Sequence, residues 1–280
     1  MQMHQQTTPS TSAMGYEKCA HLYVLFDTKK NIEFFFHYAS EAGEVLDIGA
    51  GTGRIAIPLA ERGVKVFCIE PSPAMRSQFQ KKLSQQPDLA KSIQLVQGDA
   101  KSFNFHRTFP AAFLSGSFDH FLDDGERLSS LRNIAKHLKP GGKLVFDVGL
   151  GYMKDSPMSQ AGKVSQGERE YRRFMGSKLL PDKKMEVTLV FETYQSGKLI
   201  EKIEERSLCG TINRSRLHHL LKETGFEVKR EFGDYDFRNF REGDSLLIVE
   251  GVKVQGSDLS DPRLRRGELD PSAPRFCSGW

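Results

Sequence analysis

The order of apolar and polar positions in this chain changes rhythm three times. Residues 17–39 carry apolar side chains at helical spacing (Ala20, Tyr23, Val24, Phe34, Phe35, Tyr38), broken at Asp27-Thr28-Lys29-Lys30, which predicts two helices or a helix and a lid. From residue 44 to 148, short β-branched runs centred on Leu46, Val66, Leu95, Phe113 and Val145 alternate with helical stretches at 53–62, 73–84 and 125–138. This alternation predicts a parallel sheet wound by right-handed crossovers, with helices on both faces. After Val148 the helical period is lost: 171–174, 185–194 and 198–208 alternate with period two, and Gln195-Ser196-Gly197 is a hairpin turn. The pattern there predicts an antiparallel insertion over about residues 165–208. A helix at 215–224, Gly225 as its C-cap and strands at 226–232 and 245–254 then complete the main sheet as an antiparallel pair.

The ends read differently. Residues 1–13 and 255–280 are poor in apolar side chains and are expected to be disordered, leaving one elaborated domain over 14–254. A chain of 280 residues with 38% hydrophobic content can bury a substantial core.

Chemistry enters at residues 44–53, where the strand Glu44-Val45-Leu46-Asp47-Ile48 breaks into Gly49-Ala50-Gly51-Thr52-Gly53. Glycine permits positive φ and lets a ligand approach the backbone closely. Glu70, about 20 residues on at the end of the next strand, can accept hydrogen bonds from ribose hydroxyls. Gly51-x-Gly53-x-x-Ala56 also fits a dinucleotide fingerprint, but a pyrophosphate would then lie beside the negative charge of Asp47. A cationic nucleoside suits the acid better. S-adenosylmethionine has a ribose, an ammonium and a sulfonium, and Asp99, closing the third strand before Ala100, could accept from its adenine amine.

These segments resemble the class I S-adenosylmethionine-dependent methyltransferases, in order and spacing, across roughly residues 40–150. The resemblance rests on 45–53, on 64–70 followed by Pro71-Ser72-Pro73-Ala74-Met75, on 97–100 and on 138–147; residues 214–253 look like the family's closing helix and last two strands. It implies a Rossmann-like, seven-stranded, mostly parallel α/β sheet with an antiparallel last strand, plus the small antiparallel insertion as a roof over a small-molecule acceptor. It also implies a donor site formed by Asp47, Gly49, Ala50, Gly51 and Gly53 on the methionine side, by Glu70 on the ribose, and by Pro71, Met75, Asp99, Ala100 and Ser115 nearby.

Methyl transfer is a displacement in which the enzyme aligns a nucleophile with the S–CH3 bond. Asp119 and His120, in the loop after the fourth strand, are the candidates to orient or deprotonate the acceptor. Tyr16 and Tyr23 in the lid, and Tyr235, Arg238 and Arg241 between the last strands, are candidate acceptor contacts. The chain has no Asn-Pro-Pro-Tyr or Asp-Pro-Pro-Tyr sequence, which weighs against transfer to nucleic-acid bases.

The net charge of +4 adds little, because basic and acidic residues interleave. Only 169–173 and 178–184 form modest positive clusters, so no nucleic-acid partner is expected. Cys19, Cys68, Cys209 and Cys277 are scattered, without zinc-site spacing, so reduced thiols and no metal are expected. No apolar run approaches a membrane span and 1–13 lacks a secretory core, so a cytoplasmic monomer or homodimer is expected. The competing functions are an RNA or protein methyltransferase using the basic insertion, and a silent S-adenosylmethionine-binding regulatory module.

Overall fold

The computed structural model describes residues 16–150 and 154–254. The tracts 1–13 and 255–280, expected to be disordered, lie outside the described residues, as does Cys277. The first segment forms α1 (Ala20–Tyr23), a 3-10 turn (Val24–Phe26) and α2 (Ile32–Ala42). Then come β1 (Glu44–Ile48), α3 (Ala56–Glu61), β2 (Lys65–Glu70), α4 (Pro73–Ser84), α5 (Pro87–Ala90), β3 (Ile93–Gln97), β4 (Phe109–Leu114), α6 (Asp124–Lys136) and β5 (Leu138–Gly149). The insertion is β6 (Ser156–Gln166), β7 (Arg169–Leu179), β8 (Lys184–Gln195) and β9 (Lys198–Gly210). Helix α7 (Arg214–Glu223), β10 (Phe226–Phe232) and β11 (Leu246–Lys253) close the chain.

The main sheet has seven strands in the order β10-β11-β5-β4-β1-β2-β3. Strands β1 to β5 pair in parallel, whereas β11 is antiparallel to both β5 and β10. Because successive strand residues point to opposite faces, neighbours divide between two cores. Leu46 and Ile48 pack with Leu131, Ile134, Leu217 and Leu221 of α6 and α7, while Val45 packs with Phe34, Phe35 and Leu59 of α2 and α3. The chain winds one way from β1 to β3 and then returns to the other side of β1 with β4. Ligands bind outside the strand ends at such a reversal, and this sheet opens its crevice there.

Helix boundaries follow local chemistry. Ser72 caps α4 by accepting from the Met75 N–H at 3.2 Å, with Pro73 at the first helical position. Asp123 and Asn213 cap α6 and α7 in the same way. The helix expected over 53–62 begins only at Ala56, because Gly53, at φ +81°, holds the backbone in a left-handed turn.

The insertion is a separate antiparallel sheet, β6-β7-β8-β9, wider than the 165–208 expected. Strand β6 escaped the pattern because Ser-Pro-Met-Ser-Gln-Ala-Gly-Lys-Val-Ser-Gln is mostly exposed and buries no regular apolar face. The turn at Ser196-Gly197 has positive φ at both residues, the geometry that suits the twist of a two-residue hairpin. Leu189, Phe191, Tyr171 and Ile203 on the inner face cover Cys19, Leu22, Leu25 and Phe26. Gly162 on β6 leaves a notch for the Phe26 ring, where a Cβ would stand 2.8 Å from the ring edge. The N-terminal segment is thus clasped between the insertion and the main sheet. Among the described residues, no helix is long and apolar enough to cross a membrane.

Candidate active site

Two adjoining clefts lie beyond the carboxyl ends of the strands, of about 630 Å³ and about 890 Å³. Gly49, Ser117 and His120 line both. The first runs past Ala50, Gly51, Glu70, Met75 and Ser115, under Tyr16 and Tyr23; the second runs past Pro71, Asp99 and Ala100.

Glu70 is 4% exposed and fixes the glycine turn: it accepts from the Gly51 N–H at 2.7 Å and the Ser72 N–H at 2.8 Å. Burial raises its pKa while these two bonds pull it down, and each oxygen keeps a lone pair for a ligand. Gly51, at φ +56°, has nothing within 4 Å of a Cβ position, so a side chain there would enter the cleft that the residue lines. Gly49 also has positive φ, and a Cβ on it would stand 2.7 Å from that of Ser117. Gly53 is different. It does not line either cleft, and its missing Cβ makes room for the Phe79 ring at 2.4 Å, so its expected ligand contact gives way to close packing of the turn on α4.

Asp47 is 2% exposed, and its Oδ2 is buried without a hydrogen-bond partner. Burial pushes its carboxyl up to about 7, against the pull of Arg54. A buried acid in this state suits a cationic ligand. Arg54, which the sequence marked only as the start of a helix, lines the first cleft and donates to Asn31 at 2.5 Å and Ser115 at 3.0 Å. Its signal was available, since an arginine directly after a ligand-binding glycine turn is a cation placed for a carboxylate. Asp99 takes the Lys101 N–H at 2.7 Å and leaves its half-exposed carboxylate in the second cleft.

The two acceptor-side candidates separate. His120 faces both clefts, its Nε2 is 3.2 Å from the Tyr16 hydroxyl, and the backbone of Leu208 in β9 bonds its ring. Burial lowers its pKa, so the ring is neutral near pH 7. Asp119 does not reach either cleft: its Oδ2 accepts from the Gly149 N–H at 3.0 Å, tying the loop to the end of β5. Burial raises its carboxyl to about 7, with Asp147 adding to the rise.

The structure places the other expected acceptor contacts, Tyr235, Arg238 and Arg241, outside the linings of both clefts. Tyr235 donates to Asp147 at 2.9 Å, and Asp147 in turn accepts from the Gly116 N–H at 2.7 Å, so Tyr235 braces the cleft floor from behind. Arg238 is held by Asp234 and Asp244 at 2.7 and 2.9 Å, and the Arg241 N–H bonds Asp244; neither arginine lines a cleft. Local carboxylates hold the Arg238 guanidinium, and Arg241 is tied to the loop by its backbone. Among the described residues, no group of three or more His, Cys, Asp or Glu is placed to hold a metal ion.

The family model for a methyltransferase domain matches residues 45–142, the span from β1 into β5 that holds most of this geometry. This chain carries a methyltransferase domain. A cypemycin N-terminal methyltransferase from Streptomyces sp is 33% identical over 112 residues, covering 40% of this chain and 44% of that protein. An uncharacterized methyltransferase of Bacillus mycoides is 30% identical over 142 residues, covering 47% of this chain and 64% of that protein. The chain therefore spans less than two thirds of the length of these curated relatives. In fold, the methyltransferase domain with its roof matches a S-adenosylmethionine-dependent methyltransferase from Clostridium acetobutylicum (TM-score 0.69, 17% identity, 85% of this chain and 99% of that one). It also matches the sugar N-methyltransferase KedS8 from Streptoalloteichus sp (TM-score 0.68, 21% identity, 91% of this chain and 100% of that one). The methyltransferase domain thus has the class I fold of these S-adenosylmethionine-dependent proteins.

Proposed function

We propose that this chain transfers a methyl group from S-adenosylmethionine to a nucleophile on a small molecule, with an amine as the favoured acceptor. The observation that carries this reading is the meeting of two clefts at Gly49, Ser117 and His120, one backed by an unpartnered buried acid and the other by a polar rim.

The residues present fit the donor. Asp47 offers a bare oxygen to an ammonium, Arg54 a guanidinium to a carboxylate, Glu70 two oxygens to ribose hydroxyls, and Asp99 an acceptor to the adenine amine. Gly49, Ala50 and Gly51 supply the bare backbone between them, Met75 and Pro71 pack beside the nucleoside, and Ser115 steadies Arg54. When bound, the donor supplies an electrophilic methyl group on a sulfonium.

On the acceptor side, a neutral His120 can take a proton from an ammonium or a hydroxyl, and Tyr16 fixes the ring by its hydrogen bond to Nε2. The insertion reaches the site through Leu208, which lines the second cleft with His120. Part of its basic run is balanced within the sheet, since Arg172 pairs with Glu170 at 2.6 Å and Lys184 with Asp182 at 2.9 Å, which favours a small acceptor over RNA. The sugar N-methyltransferase KedS8, similar in fold, lends support to nitrogen as the acceptor atom.

The test is acceptor-dependent release of S-adenosylhomocysteine from labelled donor and an amine-rich metabolite pool. Turnover that survives RNase and appears as an N-methylated small molecule is the expected result. Donor binding without turnover on any pool would instead favour a silent binding module.

A further inference from the structure

The first cleft contains a third carboxylate, beside Asp47 and Glu70, that comes from the N-terminal segment. Asp27 ends the 3-10 turn of the N-terminal segment and lines this cleft with Asp47 and Arg54. Its two oxygens are in different situations. Oδ2 is anchored behind the turn, 3.3 Å from the Lys82 ammonium and 3.5 Å from the Thr52 hydroxyl that donates to it. Oδ1 is buried and has no hydrogen-bond partner. Burying a carboxylate oxygen unpaired is costly, so such an atom in a cleft wall marks the place of a missing donor.

An ammonium group brings three donors, more than Asp47 alone can take up. We infer that Asp27 binds the ammonium of the donor's amino-acid arm together with Asp47, and that this arm thereby fastens the N-terminal segment over the cleft; the inference rests on the donor reading given above.

The segment is already laced to the site at its other end. Tyr16 meets His120, the Ser72 hydroxyl donates to Glu17 at 2.9 Å, and the Lys18 N–H donates to Glu205 of β9 at 2.8 Å. Asp27 is the point at which the same segment reaches the donor. Donor binding then adds a further tie between this segment and the site, beside the Tyr16–His120 contact that is already in place.

The experiment compares the full chain with Asp27→Asn, using S-adenosylhomocysteine and methylthioadenosine, which has the nucleoside but no amino-acid arm. In calorimetry, Asp27→Asn is expected to weaken S-adenosylhomocysteine by about 10- to 100-fold and to leave methylthioadenosine unchanged. Equal loss for both ligands, or loss for neither, overturns the assignment. A second measurement needs no variant: S-adenosylhomocysteine is expected to protect the exposed Lys29 and Lys30 from trypsin in the native chain more strongly than saturating methylthioadenosine. Equal protection by the two ligands overturns the coupling to closure. Failure of the native chain to bind either ligand removes the donor reading itself, a result distinct from an indifferent Asp27→Asn.

Discussion

The floor and the roof of the site are built by opposite means. The floor is the row of turns after β1, β2, β3 and β4, where each ligand-facing group lies within a few residues of a parallel strand's end. The roof is an antiparallel sheet whose strands pair over long hairpins, whose inner face makes apolar contacts with the N-terminal segment and whose Leu208 lines the second cleft. The floor presents acids at fixed spacing and bare glycine backbone to the clefts. The roof covers the N-terminal segment with apolar side chains and places Leu208 in the wall of the second cleft. Under the proposed function, donor recognition rests on fixed turns and acceptor recognition on a separable cover.

This contrast can be broken most sharply at Gly51. Gly51→Val forces a β-branched residue to φ +56° and puts a side chain into the cleft, and is expected to abolish donor binding with cooperative unfolding retained. A normal calorimetric titration of this variant would refute the role given to the turn. His120→Ala comes next: kcat is expected to fall by about 100-fold or more with S-adenosylhomocysteine affinity little changed. A variant that loses both together would make His120 part of the floor rather than the junction. Glu70→Ala is expected to weaken donor binding by about 1–3 kcal/mol, the scale of hydrogen bonds to a charged group, and unchanged affinity would remove the ribose assignment.

The mildest test is pH. Because the Asp47 carboxyl sits at about 7 in the free protein, a cationic donor must find it deprotonated. Affinity is expected to rise with pH up to about 7 and then level, falling by up to about tenfold per unit below it, with proton release visible in buffers of different ionisation heat. Asp47→Asn should flatten that profile. The raised value also has a sign for stability: the folded chain holds this proton more tightly than the unfolded one, so the contribution is present below the ordinary carboxylate range and is lost as pH rises through about 7. Asp47→Asn should accordingly raise Tm at pH 8.

How far the sequence could be read follows the same division. Helix α4 and strand β10 appear with the bounds that the pattern predicts, because their signals are local: Ser72-Pro73 for one, Gly225 and the alternation after it for the other. Asp47, Glu70 and Asp99 come to the cleft rims because strand ends converge whatever the side chains do. Arg238, Arg241 and Asp119 do not, since the partners that hold them, Asp244 and the Gly149 N–H, are a matter of loop geometry and long-range approach. Strand β6 was illegible for a related reason: an exposed edge strand needs only one neighbour and carries no buried stripe.

Gly162 gives that separable cover a point of fine adjustment. The Phe26 ring lodges where its side chain would be, so the roof and the N-terminal segment meet like a tooth in a socket. One methyl group, added as Gly162→Ala far from the reacting atoms, would jack the cover outward by the width of that clash. The seating of the roof on the N-terminal segment is thus set by a residue outside both clefts, and Gly162→Ala is expected to change the ranking of small against large acceptors in a competition assay before it alters affinity for S-adenosylhomocysteine.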